Sequence, residues 1–244
     1  MTSKSSFSSK IVKSLKSGSD LIYLPILAII TFYAAQFIVG VPMLIILGSD
    51  TLKTPLIATI FSVLVYSLSF IFLLFALKHI KSLKEPVTRN GLGFKDLVTF
   101  SDIGLAIAGF FGYLAFSAIL TALFSVFPWF NLTENQPLLY STLISPLNKV
   151  FAAIALVVFG PILEEVIYRG LIYGKLRKKH SLITSILIVS ILFSFLHGQW
   201  NVGVDVFALS VVACLMRETT GTIYTGIILH ILKNTIAFYF LFMA

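Results

Sequence analysis

A chain of 244 residues that is 58% hydrophobic and 11% charged, with a mean hydropathy of +0.99, is too apolar for a water-soluble domain of its length and reads as a polytopic membrane protein. The net charge of +8 does not point to nucleic acid, because the Lys and Arg residues lie between apolar runs instead of interleaving with aromatics in one patch. The single cysteine, Cys214, permits no intrachain disulfide and no thiolate metal cluster.

Residues 1–20 are Ser- and Lys-rich and precede an apolar run much longer than a signal-peptide core, so they are expected to form a retained, flexible cytoplasmic arm whose Lys4, Lys10, Lys13 and Lys16 lie near anionic lipid. Residues 21–244 are expected to form one transmembrane domain, with a catalytic core over about 147–244. Apolar runs at 21–47, 55–77, 103–127, 146–173, 182–196, 204–216 and 222–242 predict an all-α transmembrane bundle of seven to eight helices. The first and fourth runs are long enough to tilt or kink, whereas 204–216 is short for a crossing. Alternate connections hold Lys78, Lys81, Lys84, Arg89 and Lys95, then Lys175, Arg177, Lys178 and Lys179, then Arg217. The positive-inside rule therefore places the N-terminus and these connections in the cytoplasm of a multi-pass cell-membrane protein. The 128–146 connection reads as an exterior loop with Trp129 and Phe130 at the interface.

Three short patterns stand at membrane-helix depth: Glu164-Glu165-x-x-x-Arg169, Phe193-x-x-x-His197 and His230-x-x-x-Asn234. Hydrocarbon charges roughly 2.5 to 3.5 kcal/mol for one Asp, Lys or Arg at a helix centre, so polar groups kept there tend to serve a pathway, a relay or a reaction. Counting tests whether they meet. Glu164 precedes the turn at His180 by sixteen residues and His197 follows it by seventeen, which puts both at similar depth on antiparallel helices. His230 and Asn234, about ten and fourteen residues beyond the next turn at Thr220, reach the same layer. Residues four apart share a helix face, so Glu165 can reach Arg169, and Phe193 can lie over His197. Glu164, about 100° around from Glu165, is left to face a cavity. Gly160 and Pro161 predict a kink that opens room beside it.

The order E-E-x-x-x-R, F-x-x-x-H, H-x-x-x-N resembles the three motifs of the CPBP family of intramembrane proteases, which includes CAAX prenyl endopeptidases and bacterial proteins of bacteriocin processing and self-immunity. The segment 217–222 also looks like the family's approach to its third motif. The resemblance implies about eight helices, a site between helices of the C-terminal half, and hydrolysis of a peptide bond in a membrane-associated protein or peptide. It implies that Glu164 and His197 activate a water while His230 and Asn234 stabilise the oxyanion, with Glu165, Arg169 and Phe193 in support. An amide donor suits an oxyanion, and loss of one such donor costs ~10² to 10³ in rate.

Glu164, His197 and His230 could also supply the three protein ligands of an open zinc site, although no H-E-x-x-H helix is present and a metal-free glutamate-type mechanism is favoured. The partners expected are a peptide or membrane-protein substrate and the lipid bilayer. Two other functions fit an intramembrane Glu/His/Arg set: a non-catalytic immunity or scaffold protein for a bacteriocin or signalling peptide, and a transporter. Against the transporter, the two halves show no matching interrupted helices. Glu–Arg pairs and buried His or Asn also serve as interhelical glue. Asp205, Arg217, Glu218 and Lys233 read as interfacial.

Overall fold

The computed structural model describes residues 20–79, 87–95, 97–134 and 145–243. The arm expected at 1–20 lies outside the described residues, apart from Asp20 at the start of the first helix, as do Lys81, Lys84 and positions 135–144 of the expected exterior loop. Among the described residues there are seven helices and no strand: α1 Asp20–Leu52, α2 Pro55–His79, α3 Phe100–Phe124, α4 Pro146–Arg177, α5 Leu182–Phe195, α6 Trp200–Thr220 and α7 Tyr224–Phe242. Five of these (α1 to α4 and α7) are long and apolar enough to cross a bilayer, and the chain is a polytopic helical membrane bundle.

The ends of the helices have local causes. The run expected to stop at 47 breaks at Gly48, whose φ of 76° is open to glycine at no steric cost. α3 starts three residues before its apolar run because Thr99 and Asp102 form a reciprocal capping box. The sixth element is not short: it runs for 21 residues, about 31 Å of rise, and ends at Gly221 in the left-handed region. Hydropathy hid its ends because Asp205, Arg217 and Glu218 are polar residues, each with a partner on another part of the fold.

α4 is the central helix. Residues 164–173 are all buried, against Leu24 of α1, Leu73 of α2 and Val189 and Phe193 of α5, while α6 packs through Leu209 and Ala213 against Ala106 of α3 and Leu229 of α7. By contrast α1 and α3 turn large side chains such as Phe37, Ile45 and Phe111 outward, an arrangement that suits lipid and would be a liability in water. The basic connections meet at one end of the bundle: Arg177 Nη2 lies 2.9 Å from Glu218 Oε1, and Arg217 Nη2 donates to the Gly91 carbonyl at 3.2 Å. At the opposite end Trp129 packs on Trp200, and Asn201 Nδ2 donates to the Glu134 carbonyl.

Pro161 does not break α4. The helix passes through it with wide π turns at Ile154–Phe159 and Val166–Tyr173. The Gly160 N–H bonds the Ala155 carbonyl, five residues back, and Pro161 has no N–H to give. Neither of these donors serves the Leu156 carbonyl. A side chain from α7 does, as the site shows.

Candidate active site

Glu164, His197, His230 and Asn234, carried on α4, the end of α5 and α7, line one cavity of about 320 Å³. Its wall also includes Tyr66 and Ser62 of α2, Tyr168 of α4 and, toward the end of α7, Ala237, Phe238 and Leu241. The volume lies at the lower end of the range for small-ligand sites, and a few polar groups converge at one end of a mostly apolar wall.

The two adjacent carboxylates have different surroundings. Glu165 is fully buried: its Oε1 lies 2.9 Å from Arg169 Nη1, one turn along, and accepts from His230 Nδ1 at 3.1 Å. Gly226 of α7 makes room for it, since a Cβ there would stand 2.9 Å from Glu165 Oε2. Glu164 faces the cavity. Its Oε1 accepts from the phenol of Tyr66, and its Oε2 stands 3.7 Å from His230 Nε2, beyond hydrogen-bond reach.

Each imidazole is fixed through Nδ1. His197 Nδ1 lies 2.7 Å from the Phe193 carbonyl, and since a carbonyl only accepts, Nδ1 carries the hydrogen and the neutral ring keeps a lone pair on Nε2. His230 Nδ1 is directed in the same way by Glu165. The Phe193 ring sits among these groups: the Arg169 guanidinium lies 4.6 Å from its centroid, and Tyr168, His197 and His230 meet it edge-on at 4.8, 4.7 and 5.9 Å. A ring face turned to a desolvated cation adds attraction of about 2 kcal/mol.

Asn234 does more than line the cavity. Its Nδ2 donates at 2.8 Å to the Leu156 carbonyl, the group that Gly160 and Pro161 leave without a backbone donor. One of the two amide hydrogens is thus engaged, and the other remains.

Two residues that sequence reasoning passed over belong to this wall. Tyr66 lies 98 positions before Glu164 on a helix that carries no motif, and nothing in its spacing marks it. Lys233, read as interfacial, lines the same cavity as His230 and Asn234. The i, i+3 spacing from His230 was the available signal.

The zinc expectation meets an obstacle in the donor set. Among the described residues no three His, Cys, Asp or Glu side chains converge as a metal-holding group, and Glu164 Oε1 is already taken by Tyr66.

Replacing Tyr66 by Phe removes one hydrogen bond to Glu164 while keeping the ring. Hydrogen bonds to charged groups contribute about 1.5–3 kcal/mol, so Tyr66→Phe should lower stability by about that much, read as a shift of the unfolding midpoint in detergent. An unchanged midpoint would show that the Tyr66 hydroxyl does not hold Glu164.

A membrane bundle whose central helix offers one carboxylate to a cavity and locks its neighbour to an arginine, with two imidazoles and an amide around it, has the parts of a hydrolytic site. Residues 146–236 match the family described as Type II CAAX prenyl endopeptidase Rce1-like, a match that supports the resemblance of this part of the chain to the CPBP intramembrane proteases. Over 158 residues the chain is 30% identical to the protein named "Putative membrane peptidase YdiL" of Bacillus subtilis (strain 168). That match covers 64% of this chain and 62% of the relative, so the chain spans less than two thirds of the relative's length. No solved structure matches. The family match contains all three motifs and leaves out Tyr66.

Proposed function

We propose that the protein is an intramembrane endopeptidase that hydrolyses a peptide bond of a membrane-associated protein or peptide with water activated by Glu164 and His197. The observation that carries the reading is the meeting of Glu164, His197, His230 and Asn234 from three helical elements on one cavity, with Glu165 and Arg169 tied off beside it. Glu164 Oε2 takes one proton from a water as the water oxygen bonds to the scissile carbonyl carbon. His197 Nε2 accepts a hydrogen bond from the other hydrogen. The oxyanion receives the remaining Asn234 amide hydrogen and, in the doubly protonated ring, the His230 Nε2–H. As the C–N bond breaks, Glu164 returns its proton to the leaving nitrogen. No metal enters these steps. The N-terminus and the basic connections lie in the cytoplasm in this reading, by the positive-inside rule.

The test is cleavage of apolar peptides by the purified protein in liposomes, comparing wild type with His197→Ala, each with and without a zinc chelator. We expect cleavage by wild type, insensitivity to chelator, and a loss of roughly 10² to 10⁴ in His197→Ala. Activity removed by chelator and restored by zinc would overturn the metal-free mechanism. A wild type that binds peptide without cutting it, and whose protective effect against a bacteriocin persists in His197→Ala, would turn the reading to a non-catalytic immunity or scaffold protein.

A further inference from the structure

α7 presents a continuous stripe to the cavity: His230, Lys233, Asn234, Ala237, Phe238 and Leu241, the i, i+3, i+4 pattern of one helix face. Polar residues stand at the His230 end and apolar ones follow, so a ligand lying along α7 meets charge first and hydrocarbon after. Among the described residues lining this cavity, Lys233 is the only Lys or Arg. An ammonium at membrane depth is costly to keep and is expected to have a partner.

Its partner only half accounts for it. Lys233 Nζ lies 3.3 Å from Asp205 Oδ2, whereas Arg169–Glu165 and Arg177–Glu218 in the same molecule close to 2.9 Å, within the usual range for charge-assisted contacts. Asp205 meanwhile accepts from Tyr113 Oη at 2.5 Å and Ser117 Oγ at 2.8 Å, both on α3. Both α3 hydroxyls take Oδ1, so the ammonium meets Oδ2 alone and keeps further N–H groups to donate.

We propose that Lys233 is a specificity-determining residue that binds a carboxylate of the substrate, one or two residues from the scissile bond. The distance follows from the helix: three residues separate His230 from Lys233, a rise of about 4.5 Å, against about 3.3 Å per residue of extended peptide. The carboxylate is either a free C-terminus or an Asp or Glu side chain, and in the second case the substrate residues beyond it are apolar, to match Ala237, Phe238 and Leu241. Asp205 keeps the ammonium at the wall when no substrate is bound. The inference rests on the peptidase reading for the words "scissile bond", but the binding it describes can be measured without hydrolysis.

The experiment uses the full chain carrying Glu164→Gln, in liposomes, with fluorescent apolar peptides of four kinds: free C-terminus, amidated, amidated with one internal Glu, and amidated with Gln in its place. Free carboxylate or Glu should tighten binding about ten- to a hundredfold over the amidated or Gln partner, as expected for hydrogen bonds to a charged group. Adding Lys233→Met should abolish that preference, while Lys233→Arg should retain it. Whether the C-terminal or the internal carboxylate responds names the source. A preference that survives Lys233→Met, an equal loss for all four peptides, or no saturable binding overturns the proposal. With Glu164 intact, cleavage should fall within two residues of the carboxylate. Lys233-dependent binding without any cleavage by wild type would leave the anchor standing and sink the peptidase reading, whereas cleavage indifferent to the carboxylate would do the reverse.

Discussion

Replacing Glu164 by Gln should abolish peptide hydrolysis while leaving the protein inserted and folded. The amide keeps the shape of the side chain and can still meet the Tyr66 hydroxyl, but it cannot take a proton from water. Loss of a general base typically costs 10² to 10⁴ in rate, and in the proposed mechanism the same group also returns the proton to the leaving nitrogen, so the upper part of that range is expected. The check is single-turnover cleavage in liposomes beside an unfolding curve of each protein. Full activity in Glu164→Gln would remove Glu164 from its role and turn attention to His197. The same substitution at Glu165 should act differently, since Glu165 is fully buried, accepts from His230 Nδ1 and faces Arg169.

The second large effect is on stability. Arg169 and Glu165 are both fully buried, and removing one partner leaves the other charge without compensation in a low-dielectric interior. Arg169→Met should therefore destabilise the protein by about 3–5 kcal/mol, read as a shift of the unfolding midpoint in detergent. The double variant Glu165→Gln with Arg169→Met should recover much of that loss, because it strands no charge. If the double variant is as unstable as the sum of its parts, the pair is not the source of the effect and the stacking of Arg169 on Phe193 carries it instead.

The parts of this site that could be read from sequence are those written in helical spacing. Glu165 and Arg169 are four apart and pair, Phe193 and His197 are four apart and touch, and the turn near His180 brings α4 and α5 together by counting alone. What escaped was written in tertiary contact. Tyr66 comes from an otherwise featureless apolar helix. The Asp205–Lys233 pair joins α6 to α7 and so has no fixed spacing. Pro161 was legible as a disturbance, but its outcome depended on a donor 73 positions later, and a side-chain amide from another helix let α4 widen where a lone helix would kink. The early start of α3 was legible in Thr99 and Asp102, which an apolar run does not weigh.

The bond from Asn234 to Leu156 has a mechanical meaning. Pulling α7 away from α4 would leave a peptide carbonyl bare in hydrocarbon, and such a group costs several kcal/mol. On the other flank Thr59 Oγ1 of α2 lies 3.1 Å from the Phe151 carbonyl, but its one hydrogen is shared with the nearer Pro55 carbonyl at 2.7 Å, and the Ile154 N–H already serves Phe151. α4 is thus held on two sides, more firmly by α7. The fourth wall, the end of α5 that carries His197, is joined to α4 through rings: Phe193 against Tyr168 and the Arg169 guanidinium. Ring contacts can slide, and lipid tails can replace many of them at little expense. Three helices form a frame, and α5 is the panel set into it.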